Sequence, residues 1–127
     1  MKPEELRYTK EHEWIAPDGT MGISDYAQKE LGDVVFAELP KAGKDLEAGN
    51  EIGVLESVKA VSSVYSPVSG KVIKVNDSLS GSPELVNQDP YGKGWIAKLE
   101  IKDSSQLGKL FDTASYQKYI DELHPKH

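Results

Sequence analysis

The chain has 127 residues, 38% hydrophobic and 28% charged, with 15 Lys and Arg against 21 Asp and Glu for a net charge of −6. This reads as one soluble globular domain over residues 1–127. The acidic balance argues against a nucleic-acid partner, which calls for a basic face, and no apolar run reaches the ~20 residues a membrane helix needs. With no cysteine, disulfides, thiolate nucleophiles and cysteine-ligated metals are excluded.

In chain order, Tyr8–Ile15 and Thr20–Ile23 read as the two strands of a hairpin over 8–23, turned by Pro17-Asp18-Gly19. In such a turn proline presets φ, aspartate bonds the local backbone and glycine accepts positive φ. Ser24 or Asp25 caps a helix through Leu31 that stops at Gly32, with Gln28 at capping-box spacing from Asp25. Val34–Leu39 is strand-like and closed by Pro40. Runs at Ile52–Glu56 and Val61–Tyr65 flank Ser57-Val58-Lys59-Ala60, which makes a second hairpin near 50–66. Lys71–Val75 is a further strand, and Ser82-Pro83 opens a short helix. From Trp95 to Ile101 apolar and polar residues alternate with period two. Asp103 with Gln106, then Thr113, cap two C-terminal helices over about 104–123, the second striped by Tyr116, Tyr119, Ile120 and Leu123. Short strands punctuated by glycine and proline predict a sandwich or small barrel.

Side-chain catalysis finds little footing. No Gly-rich phosphate loop, metal-ligand spacing or Gly-x-Ser-x-Gly elbow occurs. The pair His12-Glu13 reads as surface residues of a strand rather than an acid–base couple. Lys59 stands apart. It lies at the midpoint between two strand-like runs, where a hairpin tip displays its amine, and its neighbours Ser57, Val58 and Ala60 are small or β-branched. Glu56, one residue before Ser57, is expected to be an exposed carboxylate beside the hairpin and a recognition handle for a modifying enzyme. Such a lysine suits acylation, which removes its charge. With an ordinary pKa of about 10.4 it needs activation by that enzyme.

Glu56-Ser57-Val58-Lys59-Ala60 resembles the lipoyl-attachment motif of the H-protein family of the glycine cleavage system. The resemblance extends through His12-Glu13-Trp14, Gly22-Ile23-Ser24-Asp25, Leu31-Gly32-Asp33-Val34-Val35, Tyr65-Ser66-Pro67-Val68-Ser69-Gly70 and Asp89-Pro90-Tyr91-Gly92, in order. It implies a mostly β, flattened β-barrel-sandwich hybrid of the lipoyl/biotinyl type, with short peripheral and C-terminal helices. It also implies lipoic acid amide-linked to Lys59, in a carrier rather than an enzyme. The implied partners are glycine decarboxylase (P protein), the tetrahydrofolate-dependent aminomethyltransferase (T protein), dihydrolipoyl dehydrogenase (L protein) and a lipoate ligase or lipoyl/octanoyl transferase. The His-Glu-Trp segment is placed along a cleft for the loaded arm, with Glu13 holding its cationic amine and Trp14 as an apolar wall. Ser63 departs from the family, since an acidic residue is frequent four positions after the lysine.

Three alternatives stand beside this reading. Biotin carriers resemble Met-Lys-Met at the lysine, and lipoyl domains of 2-oxoacid dehydrogenases Asp-Lys-Ala; Val58-Lys59-Ala60 matches neither. An unmodified interaction domain of the same fold is the second. A carrier that mainly relays lipoyl or octanoyl groups is the third. A start at Met1 without a transit segment points to a bacterial cytoplasm, with a processed mitochondrial matrix protein as the other option.

Overall fold

The computed structural model describes residues 5–124. The expectation drawn from Met1 lies outside them. Among the described residues nine strands form two antiparallel sheets. The larger has the order β1 (Arg7–Tyr8), β2 (Glu13–Ile15), β3 (Thr20–Ile23), β9 (Ala97–Ile101), β8 (Gly70–Val75), β5 (Asp45–Leu46). The smaller is β4 (Val34–Glu38), β6 (Glu51–Ser57), β7 (Val61–Tyr65). Between them lies a core that takes Ile15, Met21, Val72 and Leu99 from the larger sheet and Ala37, Leu55 and Val64 from the smaller. Burial of each large aliphatic side chain contributes about 1.5–3 kcal/mol. In β9 Ala97 and Leu99 face inward while Lys98 and Glu100 do not, as period two requires. The fold is the expected mostly β, sandwich-like architecture with few short helices, its sheets left unclosed.

The first hairpin is tighter and more broken than its sequence suggests. Gly19 adopts φ +93°, and a Cβ there would overlap the Leu99 carbonyl oxygen, so glycine is required. Asp18 Oδ1 accepts from the Thr20 N–H at 2.9 Å. Tyr8–Ile15, however, is not one strand. The chain reverses at Thr9–His12, so that β1 pairs with β2 through Arg7↔Ile15 and Tyr8↔Trp14. Thr9 Oγ1 accepts from the N–H groups of Glu11 (3.2 Å) and Glu13 (3.1 Å). His12 takes φ +70°, without glycine or proline to announce a turn.

Helix α1 (Asp25–Leu31) is capped by Ser24, whose side chain accepts from the Ala27 N–H, and ends at Gly32 with φ +84°. Two short helices follow β8. Helix α2 (Ser78–Gly81) had no signal in the sequence, and α3 (Leu85–Gln88) begins two residues after Pro83. The C-terminal pair resolves into a 3-10 helix (Ser104–Lys109) and an α-helix, α4 (Thr113–Leu123). Asp112, not Thr113, caps α4 by accepting from the Ser115 N–H at 2.8 Å. Gln106 does not return to its own cap; its side chain pairs with Ser69, accepting from the Ser69 N–H at 2.6 Å. Tyr116 of α4 stacks on Tyr8, ring centroids 4.3 Å apart, which fastens the helix to β1.

Candidate functional site

The second hairpin spans Glu51–Ser57 and Val61–Tyr65, within the expected 50–66. Its first strand, β6, is central in the smaller sheet and pairs with β4 and β7 at once. The connecting turn is closed by the Ser57 N–H donating to Ala60 O at 2.8 Å, and Ser57 Oγ accepts from the N–H groups of Lys59 (3.2 Å) and Ala60 (3.0 Å). The Val58 N–H donates to Asp33 O at 3.0 Å, which ties the tip to the end of α1. Lys59 is exposed at this tip. Its aliphatic stem lies over Gly32, where a Cβ would come within 3.2 Å of Lys59 Cε. Among the described residues no ion pair engages its amine.

A cleft of about 560 Å³ begins beside the tip at Ala60 and runs between β7 and α1, with Glu11 and His12 at its far end. Ala27, Glu30 and Leu31 of α1 form one side, and Tyr65 the other. The His12 ring is held by Tyr116, whose hydroxyl lies 2.8 Å from Nδ1 and 2.7 Å from Ser24 Oγ. Burial pushes the His12 imidazole below its ordinary value.

Glu13 lies one layer beneath that end of the cleft and is 2% exposed. Its Oε1 accepts from the Thr9 hydroxyl at 2.5 Å and its Oε2 from the Tyr65 N–H at 3.3 Å. Burial raises its carboxyl to about 7, against the two hydrogen bonds that favour the anion. The reading of Glu13 as a surface residue is therefore overturned. Trp14 does not wall the cleft. Successive strand residues face opposite ways, so Trp14 points into the second core cluster with Leu6, Tyr8 and Tyr116, fully buried, and its Nε1–H donates to Pro90 O at 3.0 Å. Tyr65 supplies the aromatic ring that Trp14 was expected to give.

Glu56 also differs from expectation. It is half-buried rather than exposed, because the central position of β6 sets Phe36 on one side of it and Val61 on the other. Ser63, at the position where an acid is frequent, borders the cleft and donates to Glu51 Oε2 at 3.0 Å. The α1 side of the cleft was missed in the sequence. Ala27, Glu30 and Leu31 share one helix face by their i, i+3, i+4 spacing, but nothing local says which strand that face meets.

Residues 6–123 match the family model described as "Glycine cleavage H-protein". The chain belongs to the glycine cleavage H-protein family. Curated relatives named glycine cleavage system H protein are 52% identical in Carboxydothermus hydrogenoformans, covering 94% of this chain and 95% of the relative. In Symbiobacterium thermophilum the figures are 52%, 94% and 96%. A crystal structure of a glycine cleavage system H protein from Mycobacterium marinum superposes with a TM-score of 0.84 at 34% identity, covering 94% of this chain and 98% of that one. Membership supports a lipoyl-carrier role in glycine cleavage. Among the described residues no helix is long and apolar enough to cross a membrane.

Proposed function

We propose that this H-protein family member is a single carrier domain that holds a lipoyl group in amide linkage on Lys59. In this reading it takes the aminomethyl group of glycine from glycine decarboxylase to the tetrahydrofolate-dependent aminomethyltransferase, and dihydrolipoyl dehydrogenase restores it, in a bacterial cytoplasm. The observation that carries the reading is an exposed lysine, in no ion pair among the described residues, on a hydrogen-bonded tip at the mouth of a cleft. These residues fit the cofactor. The amine is open to an acyl donor, and the cleft begins one residue away. When attached, the lipoyl group supplies the sulfur chemistry; the chain's own residues present it, shelter it and move no electrons.

Each residue has a definable part. Ser57 and the Asp33 carbonyl hold the tip so that Lys59 projects from a fixed backbone. Leu31 and Tyr65 line the cleft and would screen one side of an arm laid against them from water. Glu13, beneath the far end and bonded through both oxygens, ionises more readily when a cationic amine reaches that end, and the buried anion then attracts the amine through the intervening layer rather than by direct contact. The decisive measurement is reconstitution. Lipoylated protein mixed with purified glycine decarboxylase should support exchange of labelled bicarbonate into glycine, and unlipoylated protein should not. Equal exchange with both forms, or none with either, would sink the carrier reading.

Glu56 serves recognition by the enzyme that attaches the group. Glu56→Gln should slow lipoylation by about tenfold, the loss of one charged contact in an interface, and leave the melting temperature within a degree or two of wild type, roughly the scale of a surface substitution. Lipoylation at the wild-type rate would remove Glu56 from that role.

A further inference from the structure

The large hydrophobic side chains left exposed among the described residues are not scattered. Phe36 (53%), Val35 (55%), Val58 (71%) and Val61 (67%) all lie on the small sheet or its tip, and outside this group only Ile73 and Leu123 are comparably open. The register explains the grouping. Phe36 stands directly opposite Glu56, and Glu56 directly opposite Val61. Directly opposed residues share a face, so the three form one row across the sheet, and the tip that carries Val58 and Lys59 lies just beyond Glu56 and Val61 along the strands. The centre of the row is a half-buried carboxylate, and among the described residues no ion pair involves it.

We propose that this row is the docking face for the enzyme that acylates Lys59, and that the enzyme covers it with an apolar surface carrying one cation opposite Glu56. The inference rests on the reading of Lys59 as the attachment site. Two arguments select this occupant. Acylation joins Nζ itself to an activated carbonyl. The ammonium first gives one proton to a base, the amide C–N bond forms, the bond from the acyl carbon to its leaving group (a phosphate of an acyl adenylate, or a thiolate) breaks with its electron pair, and the nitrogen's second proton passes to a base or to the departing thiolate. The enzyme's surface must therefore lie within a few bond lengths of Lys59, against Val58, Val61 and Phe36. A partner that handles the far end of a long arm has no such need. A second copy of this chain is disfavoured, since a two-fold contact through the row would set Glu56 against its own equivalent in a protein of net charge −6.

The test uses apo-protein, a purified lipoate–protein ligase, ATP and lipoic acid, with acylation read by intact mass. Phe36→Ser is the primary variant, because Phe36 is exposed and does not border the cleft. It should raise the KM for the protein substrate by about tenfold or more, as removal of a buried aromatic contact does, with kcat preserved. Val61→Thr, which keeps the branched strand-forming shape, should act in the same direction and decides the matter if Phe36→Ser melts early. Ile73→Ser, which removes apolar surface from the other sheet, should leave KM unchanged. Unchanged KM in both row variants, with wild type acylated on Lys59, overturns the docking face and leaves the attachment site standing. A wild type that is not acylated overturns both. A raised KM for glycine decarboxylase in pre-lipoylated Phe36→Ser, or a wild-type dimer in solution lost in that variant, assigns the row to the decarboxylase or to a second copy and overturns the proposal.

Discussion

Lys59→Arg should abolish lipoylation completely while the fold is retained. The guanidinium keeps the positive charge and the long apolar stem, but it stays protonated at all working pH values and cannot attack an acyl carbonyl as an amine does. Lys59 is exposed and makes no ion pair among the described residues, so its replacement should change stability by no more than about 0.5 kcal/mol. Intact and peptide mass spectrometry after incubation with a lipoate–protein ligase should show acyl groups on wild-type Lys59 and on no other lysine. Acylation persisting in the variant would move the attachment site elsewhere. A collapsed melting transition would mean that the lysine stem over Gly32 is structural.

The second large effect concerns Glu13 and pH. Its carboxyl is raised in the folded protein from the ordinary 4.5 to about 7. Below about pH 4.5 both folded and unfolded chains hold the proton, and the group contributes nothing. Between 4.5 and 7 the folded state keeps a proton that the unfolded state has lost, so stability falls as pH rises. Above 7 both are ionised and a fixed penalty of about 3 kcal/mol remains. Glu13→Gln is neutral throughout and escapes this penalty. Its stability relative to wild type should therefore grow by about 3 kcal/mol from pH 4.5 to pH 8, measured by urea denaturation at both. The acceptor lost in glutamine shifts both measurements alike and largely cancels. A constant difference across the range would show that Glu13 ionises at its ordinary value. A carboxylate kept where it costs stability is the sort of group found at functional sites, and a cation drawn into the cleft would offset that cost.

The hairpin that displays Lys59 was legible because its signals are local: two β-rich runs around small residues, with a motif at the midpoint. The Pro17-Asp18-Gly19 turn and the Gly32 stop were legible for the same reason. The reversal at Thr9–His12 was not. It depends on one threonine hydroxyl bonded to two backbone N–H groups and on a histidine at φ +70°, and neither residue type announces a turn. That reversal sets the surroundings of Glu13, so the burial of Glu13 was hidden with it. Trp14 was misplaced along with the strand that carries it. Glu56 was read as open because nothing local makes β6 central; β4, which shades it, lies some twenty residues away. Gln106 kept its capping-box spacing from Asp103, but a partner from another turn of the chain, Ser69, took its amide.

The two-sided pairing of β6 has a consequence for how far cargo can travel. Strand residues from Val54 to Glu56 are paired with β4 on one flank and β7 on the other, Ser57 pairs with β4 and closes the turn onto Ala60, and the tip is tied again to Asp33. The point from which the side chain of Lys59 springs is thus anchored to the core and has no hinge of its own. Whatever is attached there searches a shell whose centre is stationary and whose radius is the arm alone. Lengthening the loop would enlarge that shell only by loosening its centre, and the local concentration of cargo at a docked enzyme would drop as the searched volume grew. A stationary pivot keeps that concentration high, and it obliges each enzyme to bring its catalytic centre within one arm's length of the same point.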